Sequence, residues 1–248
     1  MAGHSKWAKV KHFKGALDAK RGKIFSKLAR EVTIAAKQGG GDADMNPRLR
    51  MVLLKCRAAN MPKDNIDRAI KRATGGDAAN YEELTYEIFG PHGVAILLEV
   101  TTDNRNRTVS EIRHTFSKNG GNLGSTGSVM HMFSKKGVIS IDKSAASEEK
   151  LMDIVLEAGG EDLNDEGDVW EILTDPASYE SVLNAVKAAK IEVANSEVTM
   201  IASTYTQLED VTAKQMMRLL EALEDFDDTQ NVYSNFDMSA EQMEQVAG

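Results

Sequence analysis

The sequence predicts an α+β protein in which a basic helical domain precedes two α+β domains, one of them inserted in the other. Three observations support this prediction. Apolar residues recur at helical spacing in the first 76 residues, and strand-forming runs begin after Tyr81. A central segment then follows a strand and helix order of its own before the earlier pattern resumes. We therefore divide the chain into residues 1–76, residues 77–134 with 204–248, and residues 135–203.

The charge distribution separates the first domain from the rest of the chain. Residues 1–76 contain 18 lysines and arginines and 6 acidic residues, a net charge of +12. The remaining 172 residues contain 12 basic and 32 acidic residues, a net charge of −20, which brings the whole chain to −8. A basic segment of this size indicates a polyanionic partner, because phosphate neutralisation with counterion release dominates affinity for nucleic acids. A merely solvated basic face is the alternative interpretation.

Residues 1–14 are interpreted as a basic arm because they show little helical periodicity. Trp7 and Phe13 lie among its lysines, a composition that suits phosphate contact together with stacking on bases. The same two aromatic residues could instead anchor the arm to the helices behind it. The arm residues assigned to nucleic-acid binding are Lys6, Trp7, Lys9, Lys11, His12 and Lys14.

Three helices are expected to follow the arm. The first covers residues 16–37 and ends at a run of three glycines, which is no phosphate loop because no Gly-Lys-Ser/Thr follows it. Asn46 is expected to cap the second helix with Pro47 at its first position, and the third runs from Pro62 to about residue 73. Three helices alone do not define a helix-turn-helix motif. The helical residues assigned to nucleic-acid binding are Lys20, Arg21, Lys23, Lys27, Arg30, Arg48, Arg50, Arg68, Lys71 and Arg72.

The second domain is predicted from strand-forming runs and two amphipathic helices. Either Thr102 or Asp103 is expected to cap the first of these helices. In chain order its elements are strands 84–89 and 94–101, helix 105–118, strand 129–133, helix 213–226 and strand 231–236.

The inserted segment is predicted to be an acidic, ferredoxin-like domain. Its order is strand, helix, strand, strand, helix, strand, which is the split βαβ pattern on antiparallel pairings. The expected elements are strand 138–141, helix 147–158, a short strand near 162–163, strand 168–173, helix 176–189 and strand 193–201.

A second contact loop is predicted where a strand passes into a helix at residues 101–108. Exposed amides and two arginines at a helix N-terminus suit a phosphate, whereas arginines there oppose the helix macrodipole and add no local stability. A helix-capping turn is the alternative. The residues assigned to this second contact are Asn104, Arg105, Asn106, Arg107 and Lys118, the last at the edge of a glycine-rich stretch.

No catalytic or metal-binding pattern is found. Cys56 is the only cysteine, which excludes an internal disulfide and fits a reducing compartment. The five histidines lack metal-ligand spacing, and no nucleophile elbow occurs. The acidic residues at 224–228 could hold magnesium, but we interpret them as a solvated edge, unusual at a helix C-terminus. We expect no enzyme activity, metal, cofactor, small-molecule substrate or membrane span, and a cytoplasmic location.

The sequence resembles the YebC/PmpR family over nearly its whole length. The resemblance rests on long strings: His4-Ser5-Lys6-Trp7 with Ala19-Lys20-Arg21-Gly22-Lys23, Asn46-Pro47-Arg48, Asn60-Met61-Pro62, Asp103-Asn104-Arg105-Asn106-Arg107, and Lys118-Asn119-Gly120-Gly121-Asn122-Leu123. It implies one helical and two α+β domains and no enzyme activity. Members are described as probable transcriptional regulators, and the mitochondrial translational activator of cytochrome oxidase belongs to the same family.

Two functional hypotheses follow. The first is a non-enzymatic transcriptional regulator that binds DNA through the basic domain. The second is a ribosome-associated translation factor that binds rRNA or tRNA through the same surface and the loop at residues 101–108. A nuclease is the third and weakest hypothesis, because the carboxylate and metal pattern that it requires is missing.

Overall fold

The structure is a computed structural model that describes residues 17–75, 80–238 and 242, with side chains from Arg21 onward. In chain order the helices are α1 Leu17–Gly39, α2 Pro47–Ala58, α3 Lys63–Thr74, α4 Arg105–Asn119, α5 Glu148–Ala158, α6 Tyr179–Ala188 and α7 Asp210–Asp225. The strands are β1 Glu82–Phe89, β2 Ala95–Thr102, β3 Asn122–Leu123, β4 Phe133–Asp142, β5 Asp162–Asp165, β6 Val169–Thr174, β7 Asn195–Ala202, β8 Thr206–Gln207, β9 Thr229–Ser234 and β10 Phe236–Asp237. The predicted α+β fold class is confirmed.

The three N-terminal helices pack around one apolar core formed by residues such as Val32, Leu49 and Cys56. Asn46 caps α2 as predicted, since its side chain accepts the Leu49 N–H at 3.0 Å. Its amide also donates to the carbonyls of Ala35 and Gly40, both at 2.8 Å. This buried asparagine therefore starts α2 and fixes it against the end of α1.

A four-stranded sheet in the order β3-β1-β2-β9 forms the central layer of the molecule. All three pairings are antiparallel. Alternate residues of β2, including Ile96 and Leu98, meet α4 and α7 on one face and form the largest apolar core. The residues between them, including Ala95 and Leu97, pack on the opposite face against Phe133 of β4. This contact joins the sheet to the second sheet, to which β4 belongs.

The second sheet has the strand order β5-β6-β4-β7, with every pairing antiparallel. Helices α5 and α6 supply Leu151, Val155 and Val182 to a core against Ile139 and Ile172 of the sheet. The predicted element order of strand, helix, strand, strand, helix, strand is present.

Two local predictions were wrong. The cap of α4 is Asn104, whose side chain accepts the Arg107 N–H at 3.1 Å, because β2 extends through Thr102. A separate strand at 129–133 does not form. A 3₁₀ turn at Met130–Met132 leads instead into β4, which runs unbroken through the polar segment 134–137 because that segment pairs with β7.

Candidate nucleic-acid interface

The outer face of α2 carries arginines seven residues apart. Arg50 and Arg57 are both exposed, because Leu49, Val52 and Cys56 hold the opposite face in the core. Arg50 donates to the carbonyls of Ala43 and Asp44, each at 3.3 Å. The Arg57 side chain makes no hydrogen bond or ion pair to the described part of the chain. Sequence reasoning missed Arg57, although its heptad spacing from Arg50 was a usable signal.

Helix α3 presents a second basic face. Arg68, Lys71 and Arg72 are exposed, while Ala69 and Ala73 face the core. Arg68 donates to the carbonyl of Asp64 at 3.1 Å and to the side chain of Asn65, so its contacts stay within its own helix. With Arg50 and Arg57 on α2, these three residues form what we call the outward cation set. None of the five forms an ion pair with a carboxylate in the described ranges 17–75 and 80–238.

The basic residues of α1 are placed differently, because they meet the C-terminal end of α7. The Lys23 ammonium donates to the carbonyl and to the Oδ1 of Asp225, both at 3.2 Å. Lys27 donates to the carbonyl of Glu224 at 2.7 Å. Arg30 donates to the carbonyl of Asp227 at 2.5 Å and reaches Asp228 Oδ1 at 3.3 Å.

The acidic segment 224–228, which we call the acidic turn, is therefore not the solvated edge that the sequence suggested. Its carboxylates lie at the C-terminus of α7, where the last carbonyls have no helical partner and the macrodipole is negative. Three cations of α1 bind these carbonyls and carboxylates and so balance the negative charge. Among the described residues, no group of three or more His, Cys, Asp or Glu side chains is arranged to hold a metal ion.

The remaining N-terminal cations have mixed positions. Arg48 donates to Gln38 Oε1 at 2.5 Å and pairs with Glu83 on β1, which ties the helical domain to the central sheet. Arg21 is exposed near the start of α1. The arm residues Lys6, Trp7, Lys9, Lys11, His12 and Lys14, and the side chain of Lys20, lie outside the described residues.

In the second contact loop, Arg107 has an intramolecular partner. Its guanidinium donates to Asp103 at 2.8 Å and to buried Asp228 at 3.2 Å. The Thr108 hydroxyl donates to the same carboxylate at 3.0 Å. The pairing of Arg107 with Asp228 accounts for an arginine at a helix start, which sequence reasoning could not explain. Arg105 and Asn106 are exposed.

The glycine-rich stretch after Lys118 is held by a buried carboxylate. Glu87 of β1 is 7 % exposed and accepts the backbone N–H groups of Gly127 and Val129 at 2.5 Å and of Met130 at 2.7 Å. Burial acts to raise the pKa of Glu87, but the three N–H groups outweigh it and the pKa is lowered. The loop is therefore fixed at its end, while Lys118 is exposed.

A charged cavity of about 570 Å³ lies where the helical domain meets the central sheet. Arg30 lines it from α1, Arg107 lines it from α4, and Asp225 and Asp227 line it from the acidic turn. Water and ions therefore reach the contact between α1 and α7.

Comparison with known proteins assigns both parts of the chain to one family. The model for the "TACO1/YebC protein N-terminal domain" matches residues 5–76. The model for the "TACO1/YebC second and third domain" matches residues 81–236.

Similar proteins come from several bacteria. A protein of Acidobacterium capsulatum is 66 % identical over 249 residues and one of Koribacter versatilis is 62 % identical, each comparison covering 100 % of both chains. Both are named probable transcriptional regulatory proteins. The crystal structure of a conserved hypothetical protein from Aquifex aeolicus superposes with a TM-score of 0.78 at 40 % identity, covering 91 % of this chain and 94 % of that one. Among the helices of residues 17–75 and 80–238, none combines the length and the hydropathy of a membrane-spanning segment.

Proposed function

Because this chain belongs to the TACO1/YebC family, we propose that it is a non-enzymatic regulatory protein that binds DNA through its basic helical domain. The names of its relatives support a regulatory role in transcription. Such a protein acts in the cytoplasm, where its DNA target is located.

The outward cation set is the observation that carries this proposal. Its five residues lie on α2 and α3 and form no ion pair with a described carboxylate, in a chain whose remaining 172 residues have a net charge of −20. Cations without an internal ion pair can replace the counterions of a phosphate backbone without first losing a partner. The acidic body repels the same polyanion, which restricts contact to the helical domain.

Replacing Arg57, Lys71 and Arg72 with glutamine is expected to weaken binding to duplex DNA and to reduce its salt dependence. Three lost phosphate contacts lower the slope of log K against log salt by about 2.7, at about 0.9 per contact. Fluorescence anisotropy of a labelled duplex between low and moderate salt measures this slope.

The matched control replaces Lys150, Lys187 and Lys214 with glutamine. These three lysines are exposed on α5, α6 and α7, so the control removes the same charge from the acidic body. If the slope of log K against log salt falls equally in both variants, the effect comes from net charge alone and the outward cation set is not a specific binding surface.

Removal of residues 1–14 is a separate test, because the arm supplies Lys6, Lys9, Lys11 and Lys14. We expect the salt slope on duplex DNA to shrink by about 3 to 4 units, with an unchanged cooperative melt. An unchanged salt slope would show that the arm does not contact DNA. Loss of the cooperative unfolding transition would show that the arm is needed for the fold.

The second hypothesis, a ribosome-associated factor, uses the same basic surface and adds a contact through the arginines of the loop at residues 101–108. The pairing of Arg107 with Asp228 weakens the case for this extra contact, while Arg105 and Lys118 are exposed. Sedimentation of cell extracts through a sucrose gradient separates the two hypotheses. Co-migration with ribosomes would favour translation, whereas a free pool that gives a reproducible DNA footprint would favour transcription.

Charge reversal of Arg105 and Arg107 to glutamate extends this comparison. Loss of ribosome co-sedimentation with duplex binding retained would support the translation hypothesis, because a shaped RNA site can engage two surfaces together. We expect duplex binding to persist, since the outward cation set lies on other helices. The melting temperature must be measured alongside, because Arg107 also pairs with Asp228.

A further inference from the structure

We propose that the face of α1 formed by Lys23, Lys27 and Arg30 is a second nucleic-acid-binding surface, and that the acidic turn occupies it until a polyanion displaces it. This inference rests on the proposed function, since it assumes that the helical domain binds nucleic acid. It adds a surface outside the outward cation set and a competitor for that surface within the same chain.

The chemistry of the contact resembles that of phosphate binding. Each of the three cations donates to oxygen atoms of the acidic turn, either carbonyls at the C-terminus of α7 or the carboxylates of Asp225 and Asp228. A nucleic-acid backbone also presents closely spaced anionic oxygens to lysine and arginine. The acidic turn therefore satisfies these side chains as a phosphate backbone would.

At its outer edge, where Lys23 meets Asp225, the contact is also suited to exchange. Lys23 and Asp225 are about half and three-quarters exposed, with side-chain exposures of 47 % and 74 %. Exposed ion pairs contribute little to stability individually and are screened by salt. The cavity beside Arg30 and Asp227 admits ions to the contact. A polyanion gains counterion release when it takes over these cations, and the carboxylates return to water.

The first experiment compares two triple variants of the full chain. The turn variant carries Glu224→Gln, Asp225→Asn and Asp227→Asn. The control variant carries Glu149→Gln, Asp153→Asn and Glu157→Gln, which removes three exposed carboxylates from α5 in the inserted sheet domain. We expect the turn variant to bind a labelled DNA duplex about tenfold more tightly than the control, which corresponds to about 1.4 kcal/mol.

A double-mutant cycle then tests whether the gain passes through α1. In a Lys23→Gln, Lys27→Gln background, the turn substitutions should tighten binding no more than the control substitutions do. A gain that persists without these two lysines would overturn the proposal, because it would reflect only weaker repulsion by the body. Equal affinities of the turn and control variants would overturn it as well.

A third measurement follows the displacement directly. Cysteines placed at Met45 and Leu156, with exposures of 79 % and 71 %, accept a donor and an acceptor dye, while Cys56 is buried. Saturating duplex should lower the energy transfer as the helical domain leaves the acidic turn. Unchanged transfer at saturation would overturn the proposal while leaving the proposed function intact.

The outcomes separate the two proposals. If the turn variant bound duplex DNA and the wild-type chain did not, the acidic turn would block the α1 surface completely, which would support the proposal. If neither chain bound duplex DNA or a structured RNA probe at low salt, both the surface on α1 and the proposed function would be overturned.

Discussion

Replacing Glu87 with alanine is expected to lower the free energy of unfolding by about 3 kcal/mol, because it removes the acceptor of three backbone hydrogen bonds. The N–H of Val129 stays buried and loses its partner, whereas those of Gly127 and Met130 lie on exposed residues and can bond to water. Denaturant unfolding followed by circular dichroism measures the change. Alanine at the exposed Glu82 of the same strand is the control, with an expected change within about 0.5 kcal/mol.

The same carboxylate predicts a dependence on pH. Since the folded state lowers the pKa of Glu87, its contribution to stability is complete above the ordinary glutamate pKa of about 4.3. The contribution is lost as the pH falls through the lower pKa of the folded state. The stability difference between the wild-type chain and Glu87→Gln should therefore be constant near neutral pH and shrink in acid. A difference independent of pH down to about 3 would contradict the ionised state of Glu87.

Replacing Asp228 with alanine is expected to lower the free energy of unfolding by about 2 to 3 kcal/mol. The carboxylate is only 4 % exposed and contacts three side chains. Arg30 and Arg107 retain partial access to water and lose only the pairing, but the buried hydroxyl of Thr108 loses an acceptor. The substitution also removes a link between α1 and the central sheet. We expect a lower melting temperature together with faster proteolysis of the helical domain.

Asp225→Ala provides the matched control for Asp228. Both residues pair with cations of α1, but the Asp225 side chain is 74 % exposed, so its loss should cost less than about 1 kcal/mol. If the two variants lose similar amounts of unfolding free energy, burial of Asp228 does not increase its contribution to stability.

Local sequence patterns were sufficient for the order of the elements and for several of their ends. Helical spacing placed the three N-terminal helices, and Asn46 with Pro47 marked the start of α2 as observed. The same reasoning failed at β4, where Lys135 and Lys136 interrupt the apolar pattern. There the pairing with β7 determines the backbone conformation, and a short local pattern contains no information about a partner more than sixty residues away.

The sequence by itself determined that the first domain is basic, that the rest is acidic, and that the cations cluster on helices. Only the tertiary structure decided which cations face outward and which meet the acidic turn. Lys23 and Asp225 lie 202 residues apart, and Arg30 and Asp228 lie 198 residues apart. Composition and periodicity depend on neighbours within a few helical turns, whereas an ion pair depends on the packing that brings two helices together. For this reason the sequence could identify candidate phosphate contacts but could not show that three of them already bind oxygens of the same chain.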